Sequence, residues 1–134
     1  MSPKTRNIIG WVLTALLLAL FLFSASGKII GMASMQKVSE KIGISMEGFR
    51  ILGIIELLSV ILFAIPRTGL LGTLLLTAYM GGAVATHLEH AEPFYAQCMF
   101  IAIIWITALI RFPEMGSRLL GTGDKNDPKD FSIS

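Results

Sequence analysis

The chain has 134 residues, a length that suits one domain. Apolar residues make up 54% of it and its mean hydropathy is +0.72, too high for an ordinary soluble fold. The formal net charge of +2 comes without a basic stripe interleaved with aromatics, so nucleic acid is not an expected partner. The one cysteine, Cys98, permits neither an intrachain disulfide nor a C-x-x-C redox pair.

The apolar residues come in four blocks, residues 8–30, 49–65, 69–88 and 94–110. A bilayer core about 30 Å thick takes about 17–25 mostly apolar residues per helix, so each block is long enough to be a span. The blocks are continuous rather than alternating, which fits helices and not barrel strands. The expected fold is all-α: a bundle of four transmembrane helices, with a short interfacial helix between the first and the second.

Lys4 and Arg6 precede the first block, and Ser24-Ala25-Ser26 near its end has the small-residue character of a signal-peptide cleavage site. The run is long for such a segment, so it is read as a retained first helix ending near Gly31. Within residues 32–48, Met35, Val38 and Ile42 recur at helical spacing between Gln36, Lys37, Glu40 and Lys41. That pattern predicts the interfacial helix, stopped by Gly43. Ser45 is the expected N-cap of the second span and Glu47 suits its first turn. Pro66-Arg67-Thr68-Gly69 reads as a tight turn into the third span. A short link over residues 89–92 leads to the fourth, with Pro93 expected in its first turn. After Pro113 the chain turns polar. Residues 1–113 are read as the membrane domain and 114–134 as a polar tail, disordered from Gly121 onward.

Lys4, Arg6, Arg67, Arg111 and Arg118 fall at one end of the bundle, followed by Lys125 and Lys129. Lys37, Lys41 and Arg50, with Lys28 if it snorkels, fall at the other. The positive-inside rule then places both termini in the cytoplasm.

The polar residues inside the spans carry the functional reading. At about 1.5 Å per residue, Ser24 and Lys28, Glu56, Tyr79, Thr86 and His87, and Gln97 all fall in one half of the membrane, from four different helices. Spacings of three and four residues keep each set on one helical face. Glu56 is the most informative, because an ionised carboxylate in hydrocarbon must pair, take a proton or line a wet cavity. Lys28 is its best partner, with a flexible stem that reaches down. The alternatives are a polar pocket for a ligand or protons, and a structural ion pair that fixes two helices. Tyr79 is either a pocket hydroxyl or a core aromatic. His87 and His90 could face one ion, but no further ligands accompany them, so neither metal nor haem is expected. Gly81-Gly82 is expected to let helices pack closely. Trp11 and Trp105 read as anchors or packing residues, Arg111 as the inner boundary of the fourth span and Cys98 as a small apolar filler. The G-x-S-x-G, P-loop, H-E-x-x-H and dinucleotide-binding patterns are all missing, so no conventional soluble-enzyme site is encoded.

The chain resembles the DoxX-like family. The resemblance rests on "SASGKI", "GIIELLSVILFAIPR", "LLTAYMGGAVATHLEHAEP" and "IIWITALIRFP", and covers residues 10–113. Ala78 stands where the family often has glycine, and Glu89 where a basic residue is often seen. The resemblance implies a small four-helix integral membrane protein, with Lys28, Glu56, Tyr79, Thr86 and His87 as the positions of interest. It also implies a bacterial cytoplasmic membrane and an association with quinone-linked oxidoreductase complexes. Fold analogy alone does not establish function. The leading expectation is a binding or accessory subunit with an intramembrane pocket for a quinone-like or other lipophilic ligand. Its partners would be the lipid bilayer and a membrane oxidoreductase or a second copy of the chain. A structural subunit with a buried Lys-Glu pair and a small lipid or solute transporter are the alternatives.

Overall fold

A computed structural model describes residues 2–121, and these are helical almost throughout. Helix α1, Pro3–Ile30, starts where the Ser2 side chain accepts a bond from the Thr5 amide, and stops at Gly31, whose φ of 82° only glycine adopts cheaply. The short helix α2, Ala33–Ile42, ends the same way at Gly43, φ 70°. Ser45 caps α3, Met46–Ala64, through the Gly48 amide, and Glu47 lies in its first turn. A 3₁₀ turn over Pro66–Thr68 leads into α4, Gly69–Glu89. Helix α5 is Tyr95–Arg111 and α6 is Pro113–Leu120.

Two boundaries differ from expectation. Ala91 takes a left-handed conformation, φ 55°, and reverses the chain, so the irregular link extends to Phe94 and Pro93 lies outside the helix it was expected to open. The first residues of the expected tail are also helical. Pro113 suits a first turn, where its missing N–H costs nothing, and Gly121 closes α6 with φ 66°. The rest of the tail, residues 122–134, lies outside the described residues.

The four long helices form a ring in which α1 packs on α3 and α5, and α4 packs on the same two. Each contributes to one core: Leu17 and Phe21, Val60 and Phe63, Leu76 and Met80, and Ile104. Buried hydroxyls in this core are satisfied within their own helices. Thr14, Thr73 and Thr107 each donate to the carbonyl four residues back at 2.7 Å. One contact fixes α3 against α4. A Cβ on Gly72 would lie 2.1 Å from the Phe63 amide nitrogen, so only glycine lets these backbones meet.

The outside of the ring is apolar, with Leu16, Leu20, Phe23, Ile54, Leu58 and Leu74 all about half exposed or more. In water a surface of this kind would aggregate, whereas in lipid it is the required one. Helix α1 and the run Pro66–Glu89 are each long and apolar enough to cross a membrane, and α5 with α6 makes a third run bent by 110°. Helix α3 is 19 residues long and carries three charges, Glu47, Arg50 and Glu56.

Candidate functional site

Glu56 is 1% exposed, in the middle of α3. Its Oε2 accepts from the Lys28 ammonium at 2.5 Å and from the Tyr79 hydroxyl at 2.9 Å. Lys28 donates further to the Tyr79 oxygen at 2.7 Å and to Ser24 Oγ, one turn back on α1, at 3.1 Å. The ammonium thus spends its three protons on Glu56, Tyr79 and Ser24, and it lies 5.3 Å from the centre of the Tyr79 ring and 5.6 Å from that of Phe49. Three helices meet in this cluster, so Tyr79 acts as a hydroxyl in a polar site rather than as an apolar filler. Gly53 makes the meeting possible. A Cβ there would press within 2.9 Å of the Lys28 Cβ and 3.1 Å of the Ala25 carbonyl.

The cluster forms one wall of a cavity of about 660 Å³. All seven polar residues singled out in the sequence line it: Ser24, Lys28, Glu56, Tyr79, Thr86, His87 and Gln97. Their roles there differ. Thr86 gives its hydroxyl proton to the Gly82 carbonyl at 2.9 Å, which leaves its oxygen as an acceptor. His87 Nδ1 lies 2.7 Å from the Ala83 carbonyl. A carbonyl only accepts, so Nδ1 carries the hydrogen, and in a neutral ring Nε2 is then a lone pair. The Gln97 amide nitrogen points to that lone pair at 3.4 Å. This orientation leaves Gln97 Oε1 buried with no hydrogen-bond partner. Buried polar atoms are nearly always satisfied, so this oxygen is an exception among the buried side-chain atoms of the described residues.

The apolar part of the cavity was less legible. Met35, Val38 and Ile42 of α2 close it at one end, with Ile44 beside them. Their periodicity predicts an amphipathic helix, and the apolar face of that helix lines the cavity. The roof is tied down by Ser39, whose hydroxyl donates to the Ile44 carbonyl, by Gln36 donating to the Gly31 carbonyl at 3.1 Å, and by an exposed Lys41–Glu92 pair at 3.8 Å.

Other expectations need correction. Gly81 and Gly82 do not mediate helix packing, because a Cβ on either would meet nothing within 4 Å. The close contacts fall at Gly53 and Gly72 instead, where α3 meets its neighbours. Cys98 is exposed rather than a buried filler, since it lies about 100° around the helix from the inward-facing Gln97. Arg111 does more than mark a boundary. It donates to the Phe63 and Ala64 carbonyls at 2.6 and 3.2 Å, satisfying the open end of α3. Its guanidinium also lies 5.0–5.3 Å from the ring centres of Trp11, Phe63 and Phe112. Sequence reading had only the position of Arg111 near a helix end to go on. His90 stays outside the cavity lining and holds the Thr86 carbonyl at 3.0 Å. Among the described residues, no group of three or more His, Cys, Asp or Glu side chains converges on a point that could hold a metal ion.

The described residues are all-helical, with an apolar exterior and a charged cluster held inside, and this is a membrane protein. The DoxX-like family model matches residues 12–110, about three quarters of the chain, and the protein belongs to that family. No curated protein and no solved structure matches the chain.

Proposed function

We propose that this protein is a membrane-embedded binding or accessory subunit that holds a lipophilic ligand with a polar head, quinone-like in its chemistry, for a membrane redox system. The observation that carries the reading is the Lys28–Glu56–Tyr79 cluster set in the wall of a largely apolar cavity that Thr86, His87 and Gln97 also line. The two sets of residues complement a head with both kinds of oxygen. The Thr86 oxygen, free to accept, takes a hydroxyl. Lys28 meets a carbonyl by releasing Ser24, its longest contact at 3.1 Å. A bound quinone would supply the two-electron chemistry. The residues of this chain bind the head, orient it and exclude water from it. No nucleophile or resident redox centre is needed for that role.

In this reading α1, α3, α4 and α5 all cross a bacterial cytoplasmic membrane. The 17 residues of α5 lie at the short end of the spanning range, and pairing Glu56 with Lys28 lowers the cost of burying α3. Both termini lie inside, following the arginines and lysines at the end of the bundle that holds Arg67 and Arg111.

The test is to extract the protein into native membrane discs and identify co-purifying lipophilic molecules by mass spectrometry, beside Glu56→Gln. A specific quinone or lipid held by the wild type and lost in the variant supports the reading. Equal, nonspecific lipid in both counts against it. That second outcome favours a purely structural role for the ion pair, for which the full use of the Lys28 protons inside the protein speaks.

A further inference from the structure

We infer that the cavity opens sideways into the bilayer between α3 and α4, and that it takes an amphiphile whose apolar tail leaves beside Gly82. The inference rests on the ligand-binding reading above and adds the route and the shape of the ligand.

The two helices meet backbone to backbone near one end and expose the cavity wall near the other. Gly72 brings the α4 backbone onto Phe63, closer than any side chain would allow. Gly82 lies ten residues further along α4, about 80° round the helix from Gly72. A Cβ there would meet nothing within 4 Å. Gly82 lines the cavity and is exposed, as is Ala78 one turn before it. Across the gap Ile55, on α3 next to Glu56, also lines the cavity while 45% exposed. The same side chains therefore belong to the cavity wall and to the lipid-facing exterior. The water-facing end is covered by Met35, Val38 and Ile42 of α2.

This layout selects the ligand. A polar head that reaches the Lys28–Glu56–Tyr79 cluster leaves its apolar tail beside Ile55, Ala78 and Gly82, in hydrocarbon. A molecule arriving from water would have to lift α2. One already dissolved in the bilayer needs only to slide in.

Gly81 is a matched control. It is helical and exposed, with open space around its Cβ position, yet it does not line the cavity. Neither glycine has a positive φ, so leucine at either site strengthens the helix rather than strains it. The experiment measures binding of a decyl-tailed quinone, and of the same head without its tail, to the full chain in lipid nanodiscs. Gly82→Leu should weaken the tailed quinone about tenfold, the loss of roughly two buried methylenes, and leave the tail-less head unchanged. Gly81→Leu should bind both like wild type. If Gly82→Leu binds the tailed quinone like wild type, or if both variants lose it equally, the side opening is overturned while the binding role stands. If the wild type binds neither compound, the binding role fails as well.

Discussion

Removing the ammonium of Lys28 tests whether the cluster is a buried charged unit. Lys28→Met keeps the length and apolar stem of the side chain and deletes the charge. Glu56, with its side chain 1% exposed, then keeps only the Tyr79 hydroxyl as donor. Stripping one partner from a buried pair costs about 3–5 kcal/mol, and insertion scales price a charged side chain at the helix centre at about 2.5–3.5 kcal/mol. The two ranges meet near 3 kcal/mol. The Lys28 side chain is 12% exposed, so solvent screening takes little from that figure. Reversible unfolding with SDS in mixed micelles, followed by circular dichroism, reads it directly. The double variant Lys28→Met with Glu56→Leu should recover most of the loss, because an apolar pair in place of a buried ion pair is often neutral or better. It should bind no ligand in the discs despite its restored fold. A loss below about 1 kcal/mol in Lys28→Met would refute the reasoning, since a buried carboxylate cannot lose its only cation so cheaply.

Two further outcomes follow from the packing and the charge distribution. Gly72→Ala puts a Cβ 2.1 Å from the Phe63 nitrogen and 2.3 Å from its Cα. No rotamer relieves a clash with backbone, so an overpacking cost of about 3 kcal/mol should exceed the helix-propensity gain of about 1 kcal/mol, a net loss that the same SDS titration resolves. Gly81→Ala in the same helix should instead be neutral or stabilising, and equal behaviour of the two variants would show that α3 and α4 do not meet at Gly72. For orientation, a reporter fused after Ser134 should be active only if it functions in the cytoplasm; activity confined to the far side would reverse the assigned topology.

Much of the site was legible because the membrane makes polar residues conspicuous. A carboxylate at position 56 in an apolar run has few places to go, and helical rise alone sets Lys28, Tyr79 and Gln97 at a comparable depth. Helical periodicity likewise gave α2 and its apolar face. The glycines were harder to read. Gly72 and Gly82 are both small residues in one apolar helix, and the sequence offers no reason to assign close packing to the first and open space to the second. The partners of Arg111 and the exposure of Cys98 were missed for a related cause: depth along a helix is counted from the sequence, but the neighbour a side chain faces is not.

The chain by itself determined that it lives in lipid and is built of helices, and that it hides a lysine and a glutamate at matching depth. Hydrophobic run length and the cost of charge in hydrocarbon are properties of single segments, so they need no fold to act. Only the tertiary structure decided that these groups share a cavity, that Gln97 is left with an unpaired oxygen, and that Gly82 stands in the cavity wall with open space beside it. Those features depend on which helices touch and how closely, and close approach is set by pairs of surfaces that no single segment contains.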